Sequence, residues 1–306
     1  MLELKIMKAP SKQIPVEEMP IPMLCSLKLD GIRCLIKDGK IHSASMRLLP
    51  NKNLPSHLSY LIEQFPDQVF DGELYSHILP FQEHTSLLMA HTKQLPNHLA
   101  FHCFDTLPLN QWGTCEIPYS TRYKTLKETL KTVPKNQPVC LVEQRLANTH
   151  TDIHKWYNKA IEADYEGLMV RDPNGLYKNG RATIKQANIF KIKSWTDYDG
   201  EIIGVYEMEG IKTGAERVID PTGHRRAVHK KDDRETKGTL GGFLIKLEDG
   251  TETRVGAWKG LTHAVRTEIW LDKESYIGKW VRFKSQACGE KDKPRLRKNL
   301  EFRDPK

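Results

Sequence analysis

Hydrophobic and polar positions alternate in short runs near the start of the chain, a pattern typical of strands. Residues 22–48 contain three such runs, and Lys37-Asp38-Gly39-Lys40 joins the last two. Because an Asp-Gly pair between apolar runs favours a tight hairpin turn, we predict a small antiparallel unit there. The same reasoning predicts further strands at residues 69–76, 99–107, 166–172 and 189–195.

Helical spacing of apolar residues predicts helices at 58–65, 121–133 and 154–165. Pro66 and Pro134 follow the first two and are expected to end them, and Ser120 is a candidate N-cap for the second. These strands and helices mix without a regular βαβ alternation. We therefore predict a largely antiparallel α+β domain over residues 1–195.

After Trp195 the pattern changes to short strands separated by Gly and Asp-Gly turns, with one helical stretch at 262–271. This rhythm predicts a small β-barrel of the oligonucleotide-binding (OB) type over residues 196–306. Residues 211–238 are long, polar and basic, and we predict a mobile loop able to touch phosphates, with a plain surface insertion as the alternative.

Composition is that of a globular protein. The chain has 306 residues, which favours two domains, with 39% hydrophobic and 28% charged residues. No apolar run approaches a membrane span, and the first residues lack a secretory pattern, so we expect a cytoplasmic protein, or one of the host cytoplasm if viral. Six scattered cysteines lack C-x-x-C pairs, so we predict reduced thiols without structural zinc.

Positive charge is concentrated near the end of the chain. The formal net charge is +8, and residues 279–306 hold ten Lys or Arg against four Asp or Glu. An anionic macromolecular partner such as nucleic acid fits this balance, although a solvated, partly disordered end would produce the same pattern.

Four short motifs point to chemistry. Lys28-Leu29-Asp30-Gly31-Ile32-Arg33 places a lysine in an apolar strand, where loss of hydration is expected to lower its pKa and free the amine to attack. Asp71-Gly72-Glu73 and the segment 166–171 each set a carboxylate beside a glycine, where oxygen ligands for Mg²⁺ are expected. Lys191 and Lys193 share one strand face, and a phosphate would relieve their repulsion.

These motifs in this order, with Phe101-His102-Cys103-Phe104-Asp105 between the second and third, resemble those of the covalent nucleotidyltransferase superfamily of ligases and capping enzymes. The likeness is nearest to short phage-type ATP-dependent DNA ligases and covers nearly the whole chain. It implies a nucleotidyltransferase (adenylation) domain followed by an OB-fold domain, with ATP as AMP donor and Mg²⁺ as metal.

The resemblance also implies a role for each matching residue. Lys28 would be joined covalently to AMP, Phe104 would stack on adenine, and Glu73 and Glu166 would organise ribose and metal. The remaining nucleotide-binding residues would be Asp30, Arg33, Arg47, Lys191 and Lys193.

The chain departs from the family's motifs in three places. Ser26 stands where relatives often carry an acid, and the family's Ser-Arg motif aligns with Arg47 or, on another register, with Ala44. At the end of the chain, Arg303-Asp304-Pro305-Lys306 matches only part of the last motif, whose role would be to orient pyrophosphate.

The implied substrate is a nick in duplex DNA, bound by a monomer through its phosphate backbone. ATP is expected as donor in preference to NAD⁺, since cysteine-rich zinc sites and an extra N-terminal domain are not evident in the sequence. The alternatives are an RNA ligase, an mRNA-capping guanylyltransferase of the same superfamily, and a non-catalytic nucleic-acid-binding protein.

Overall fold

The computed structural model describes residues 4–220, 223–228, 231–258, 260–286 and 295–303. These residues divide into two compact units with the boundary between Lys193 and Ser194, and Gly223 groups with the first unit. Within the described ranges, no helix is both long and apolar enough to cross a membrane.

The first unit is a mixture of strands and helices. In chain order the described elements are β1 (Met23–Lys28), β2 (Ile32–Lys37), β3 (Lys40–Ser43), α1 (Leu54–His57), α2 (Ser59–Gln64), β4 (Gln68–Tyr75), α3 (Phe81–Met89), β5 (Ala100–Pro108), α4 (Tyr119–Lys131), β6 (Val139–Leu141), β7 (Arg145–Ala147), α5 (His150–Glu162), β8 (Gly167–Arg171) and β9 (Ile189–Lys193).

These strands form two sheets. The first sheet has the order β7-β1-β8-β9 and is antiparallel throughout. The second has the order β3-β2-β4-β5-β6 and is antiparallel except for the pair β5–β6. The prediction of a mixed, largely antiparallel fold is therefore confirmed for this unit.

The prediction of one antiparallel unit over residues 22–48 is wrong for its first strand. β2 and β3 do form the hairpin, with Asp38 and Gly39 at positive φ in the turn. β1, however, pairs with β7 and β8 in the other sheet. The chain crosses between sheets at Asp30-Gly31, where a side chain on Gly31 would collide with the carbonyl oxygen of Leu74.

Helices cover the outer face of each sheet. Cys25, Leu168 and Val170 of the first sheet pack against Ile153 and Ala160 of α5. The second sheet buries its outer face against α1 to α4 in a core that contains Phe70, Phe101, Leu58, Leu88 and Leu126. A third cluster joins Leu35 and Val69 of the second sheet to Ile189 of the first. The inner faces of the two sheets therefore face each other, and the polar side chains of the motifs lie between them.

The second unit is built on one antiparallel sheet. Its elements are β10 (Thr196–Ile211), β11 (Arg217–Ile219), β12 (Arg225–Ala227), β13 (Arg234–Leu247), β14 (Glu252–Gly256), α6 (His263–Leu271), β15 (Trp280–Gln286) and β16 (Arg295–Arg303). Five strands form the sheet in the order β14-β13-β10-β15-β16 around a core that includes Ile202, Phe243 and Phe283. Strand pairing among the described residues does not close this sheet into a barrel.

Half of the described residues in the segment predicted as a mobile loop, 211–238, lie in strands. β10 and β13 remain paired as far as Ile211 opposite Arg234, and β11 pairs with β12 beyond them. We call residues 211–238 the basic ribbon; positions 221–222 and 229–230 lie outside the described residues. Most of its described side chains are exposed, so the alternation that marks a half-buried strand is absent from the sequence.

Candidate active site

Three neighbouring strands of the first sheet place two lysines on either side of a glycine. Lys28 on β1 lies opposite Gly167 on β8, and Gly167 lies opposite Lys193 on β9. Residues in one row across a sheet project to the same face, so the two lysine side chains flank the bare position at Gly167. The next row on that face holds Ser26, Met169 and Lys191.

Glu166 binds both lysines of the row Lys28-Gly167-Lys193. Its carboxylate forms ion pairs with the ammonium groups of Lys28 and Lys193, one at each oxygen, and the residue is 2% exposed. Burial raises the pKa of Glu166, but the two lysines outweigh burial and hold the pKa below its ordinary value. Glu166 is therefore a charged bridge between Lys28 and Lys193.

The expected lowering of the Lys28 pKa is wrong for this state of the site. Burial does lower the pKa of Lys28, but Glu166 and Glu73 more than offset it. Asp30 adds to their effect, and the pKa of Lys28 lies above its ordinary value. The sequence shows the apolar strand and Asp30, but not the two carboxylates, Glu73 and Glu166, that other segments bring to the end of the strand.

Glu73 and Arg33 face the site from the second sheet, where β2 and β4 pair them directly. Glu73 Oε1 accepts a hydrogen bond of 3.2 Å from the Gly31 N–H. Burial raises the pKa of Glu73 to about 7, even though Lys28 and Arg33 act against the shift. Glu73 is thus only partly ionised at neutral pH, because burial outweighs its two cationic neighbours.

Arg33 is fixed by a buried carboxylate. Its Nε and Nη2 donate to Asp71 at 2.9 and 2.6 Å, and the Tyr177 hydroxyl donates to Asp71 Oδ2 at 2.6 Å. A bidentate pair of this kind sets the plane of the guanidinium as well as its position. Arg33 is therefore held ready for a ligand.

Phe104 occupies a β-bulge. Asp71 pairs with Asp105, whereas the adjacent Gly72 pairs with Cys103, so Phe104 is the extra residue on β5. A bulge redirects a side chain and is common beside active sites. The guanidinium carbons of Arg33 and Arg171 lie 4.9 and 5.0 Å from the centroid of the Phe104 ring.

A cavity of about 250 Å³, the inter-sheet cavity, opens beside these groups. Five of the nine predicted site residues line it, namely Lys28, Arg33, Glu73, Phe104 and Lys191. Glu166 connects to the cavity through its ion pair with Lys28, Lys193 connects through its ion pair with Glu166, and Asp30 acts on Lys28 electrostatically. Eight of the nine are thus brought together.

Arg47 is the exception. It is exposed in the segment after β3, and it is not part of the described lining of the inter-sheet cavity. The prediction that Arg47 binds the nucleotide is not supported by its position. Arg303 belongs to β16 of the second unit, and the rest of its motif, residues 304–306, lies outside the described residues.

Three cations of the cavity were missed by sequence reasoning, namely Lys8, Arg171 and Arg181. Lys8 and Arg181 are joined by a β-bridge, and Arg181 Nη1 donates to the Ala9 carbonyl at 2.7 Å. Lys8 comes twenty residues before the first motif, in a segment with no motif of its own. Only the chain's tertiary path brings it to the site.

Neighbouring cations of the cavity lower one another's proton affinity, in addition to the effect of burial. Burial, with Lys193 and Arg181, lowers the pKa of Lys191 to about 8. Burial and the neighbouring Arg33 and Arg181 lower the pKa of Lys8 in the same direction. Like charges held this close are relieved by an anion.

A divalent cation could use the two glutamates. Mg²⁺ is commonly held by one or two carboxylates together with substrate phosphates, and Glu73 and Glu166 supply that donor chemistry. The described residues contain no larger group of His, Cys, Asp and Glu ligands, so the substrate would have to complete the coordination.

Comparison with known proteins gives a consistent result. Residues 5–193 match the family model described as the ATP dependent DNA ligase domain. The chain is 27% identical over 192 residues to a DNA ligase of Enterobacteria phage T4, which covers 59% of this chain and 33% of that protein. It is also 27% identical over 216 residues to DNA ligase 2 of Korarchaeum cryptofilum, covering 63% and 35%. The chain thus spans about a third of the length of these relatives.

Solved structures share the fold. A structure from a study of Lig E DNA ligases superposes with a TM-score of 0.70 at 20% identity, covering 98% of this chain and 99% of the other. The Chlorella virus DNA ligase-adenylate superposes with a TM-score of 0.55 at 24% identity, covering 99% of each chain. Because the family model covers more than half of the chain, including every residue of the inter-sheet cavity, the chain belongs to the ATP-dependent DNA ligase domain family.

Proposed function

We propose that this protein is an ATP-dependent DNA ligase that seals nicks in duplex DNA, with Lys28 as nucleophile. The observation that carries the proposal is the row Lys28-Gly167-Lys193, with Glu166 shared between its two lysines at the edge of a cationic cavity. Residues 1–195 would form the adenylation domain, and residues 196–306 would form an OB-fold DNA-binding domain.

The charge of the inter-sheet cavity suits the phosphates of a nucleoside triphosphate. Lys8, Lys191 and Arg181 provide positive charge for phosphates, and burial together with neighbouring cations lowers the pKa of each lysine. Phe104 and Met169 offer an aromatic and a thioether surface for the adenine base. ATP is thus the expected substrate of the first step.

In that step the Lys28 amine attacks the α-phosphorus of ATP, forming a phosphoramidate bond as the bond to pyrophosphate breaks. The attacking amine must first lose a proton to solvent, and in the free protein Glu166 favours the protonated form of Lys28. Lys193 forms an ion pair with the same carboxylate. A shift of Glu166 toward Lys193 would weaken its ion pair with Lys28 and ease loss of the proton. The product is lysyl-AMP.

Glu73 and Glu166 are the residues that would hold Mg²⁺. The metal would supply positive charge to phosphate oxygens that become more negative during transfer. Lys191 and Lys193 would orient the same oxygens for in-line displacement.

In the second step AMP passes from Lys28 to the 5′-phosphate at the nick, giving DNA-adenylate. In the third, the 3′-hydroxyl attacks the 5′-phosphate and releases AMP. Arg33, fixed by Asp71, is placed to bind ribose or the nick phosphate in these steps. The proposed activity needs no base-specific contact, since a nick can occur in any sequence.

Incubation of the purified protein with ATP tests the proposal. We expect the wild type to gain the mass of one AMP and then to seal a nicked DNA duplex. Lys28→Ala should abolish the mass gain, whereas Lys127→Ala, at an exposed lysine on α4, should retain it. Retained adenylation in Lys28→Ala would show that Lys28 is not the nucleophile. Labelling by GTP alone would contradict ATP as the donor, and sealing of nicked RNA alone would contradict nicked DNA as the substrate.

A further inference from the structure

A second cavity of the first unit, of about 440 Å³, lies beside α5 and has no role in the proposed reaction. We call it the α5 cavity. It shares Ser26, Leu27, Leu29 and Val142 with the inter-sheet cavity, so the strand that carries Lys28 separates the two. Its volume is in the range of small-molecule sites, which runs from about 300 to 1,000 Å³.

The walls of the α5 cavity are mainly aromatic and apolar. Tyr75, Trp156 and Tyr165 line it, and Leu27 is 36% exposed although it belongs to a central strand. His102 is also in the wall, and burial lowers its pKa to about 4, so its ring is neutral at physiological pH. A flat apolar group would cover this surface at little electrostatic cost.

Charge at the same site favours an anion. The Arg145 guanidinium and the Lys159 ammonium group lie 4.6 and 5.2 Å from the centroid of the Trp156 ring, and both side chains line the cavity. Glu143 is the one carboxylate among the described lining residues. The balance is one net positive charge beside an aromatic surface.

We propose that the α5 cavity binds a planar aromatic ring that carries one anionic group, with the ring against Tyr75 and Trp156 and the anion toward Arg145 and Lys159. Such a ligand would press on Leu27 and Leu29, which also bound the inter-sheet cavity. Occupancy therefore weakens nucleotide binding there, and this consequence alone rests on the proposed function.

The probe is 2-naphthoate, and uncharged 2-naphthalenemethanol is the control compound. Binding is measured by calorimetry without ATP. We expect saturable binding of 2-naphthoate that Ala163→Phe, which fills the cavity, abolishes. Glu162→Phe places the same ring on an exposed α5 residue outside the lining and should bind as the wild type does. Circular dichroism and thermal unfolding check that each variant is folded.

Lys159→Gln should weaken 2-naphthoate binding by about two- to five-fold, the size expected for a partly exposed ion pair, and leave binding of the alcohol unchanged. Absence of saturable binding to the wild type, or equal binding in Ala163→Phe and Glu162→Phe, overturns the site. Because these measurements contain no nucleotide, they fail or succeed independently of the ligase proposal.

The coupling is tested separately by AMP incorporation. Saturating 2-naphthoate should raise the KM for ATP several-fold in the wild type and leave it unchanged in Ala163→Phe. An unchanged KM in the wild type, despite proven binding, contradicts the coupling.

Discussion

Glu166 is a buried carboxylate that serves two ammonium groups at once. Removing one partner of a buried pair leaves an uncompensated charge, which is commonly more costly than the pair was worth. Here the loss of Glu166 would leave Lys28 and Lys193 facing each other across Gly167, which has no side chain to separate them. The carboxylate is therefore needed both to hold the two lysines close and to control the proton on Lys28.

Glu73 gives a prediction of pH-dependent stability. Its pKa is about 7 in the folded protein, above the ordinary value of 4.5, because burial disfavours the charged form. Folding is thus favoured while Glu73 is protonated, and this contribution is lost as the pH rises from 4.5 through 7. We expect Glu73→Gln to stabilise the free protein by about 1–3 kcal/mol at pH 8 and by much less at pH 5, measured by urea unfolding.

The control for Glu73→Gln is Glu63→Gln, at an exposed residue of α2. The control should leave the difference in stability between pH 5 and pH 8 unchanged. Equal destabilisation of Glu73→Gln at both pH values would contradict the raised pKa of Glu73.

Single residues could be predicted where a motif fixes them and not where the tertiary path does. Lys28 was identified from the Lys-Leu-Asp-Gly motif in an apolar strand, and Glu73 and Glu166 were identified because each stands next to a glycine at a strand edge. Lys8 and Arg181 were missed, because neither lies in a recognisable pattern although both line the inter-sheet cavity. The direction of the Lys28 pKa shift could not be predicted either, since it depends mainly on Glu166 and Glu73, which two other segments bring to the site.

At the level of elements, β8 begins at a position only glycine can occupy. Gly167 has φ of +141°, and a side chain there would collide with the Ile192 carbonyl oxygen on β9. We expect Gly167→Ala to disrupt the pairing that aligns Lys28 with Lys193, to cost more than about 3 kcal/mol of stability, and to lower the yield of AMP incorporation. Chemical denaturation and the mass shift with ATP measure the two effects.

A second glycine, with positive φ but open space around it, separates the cost of backbone strain from the cost of the collision with β9. Gly39 has φ of +66° in the β2–β3 turn, and its nearest neighbour to an added side chain is Ile62 Cγ2 at 3.8 Å. Gly39→Ala should lower the free energy of unfolding by about 1–2 kcal/mol, which is the cost of backbone strain alone. It should still incorporate AMP. If Gly167→Ala is no more costly than Gly39→Ala, the collision with β9 is not decisive.

Elements were predictable where the sequence carries its own local signals. The helix predicted at 154–165 exists as α5, but it starts earlier, at a capping box in which Thr149 and Asp152 exchange hydrogen bonds. α3 was not predicted; Pro80 precedes it, and only His84 and Leu88 of its residues are buried. Which sheet β1 joins could not be predicted, because its partners lie over a hundred residues away.

For the whole molecule, the distribution of charge decides how DNA would be held. The chain carries a net charge of +8, and the basic ribbon contributes exposed Arg217 and Arg225. If each contacts a phosphate, each releases condensed counterions on binding and adds about 0.9 to the slope of log K against log salt. The number of phosphates that these two arginines contact can therefore be read from the change in the salt slope.

We predict that the double variant Arg217→Gln/Arg225→Gln binds a nicked duplex with a salt slope smaller by about 1–2 than that of the wild type. Lys127→Gln, on the exposed side of α4, should leave the slope unchanged. AMP incorporation, which involves the first unit, should be unaffected in both. Fluorescence anisotropy over a series of salt concentrations measures the slopes. Equal slopes in the wild type and the double variant would mean that Arg217 and Arg225 do not contact phosphates. Other basic residues of the chain would then have to supply the phosphate contacts.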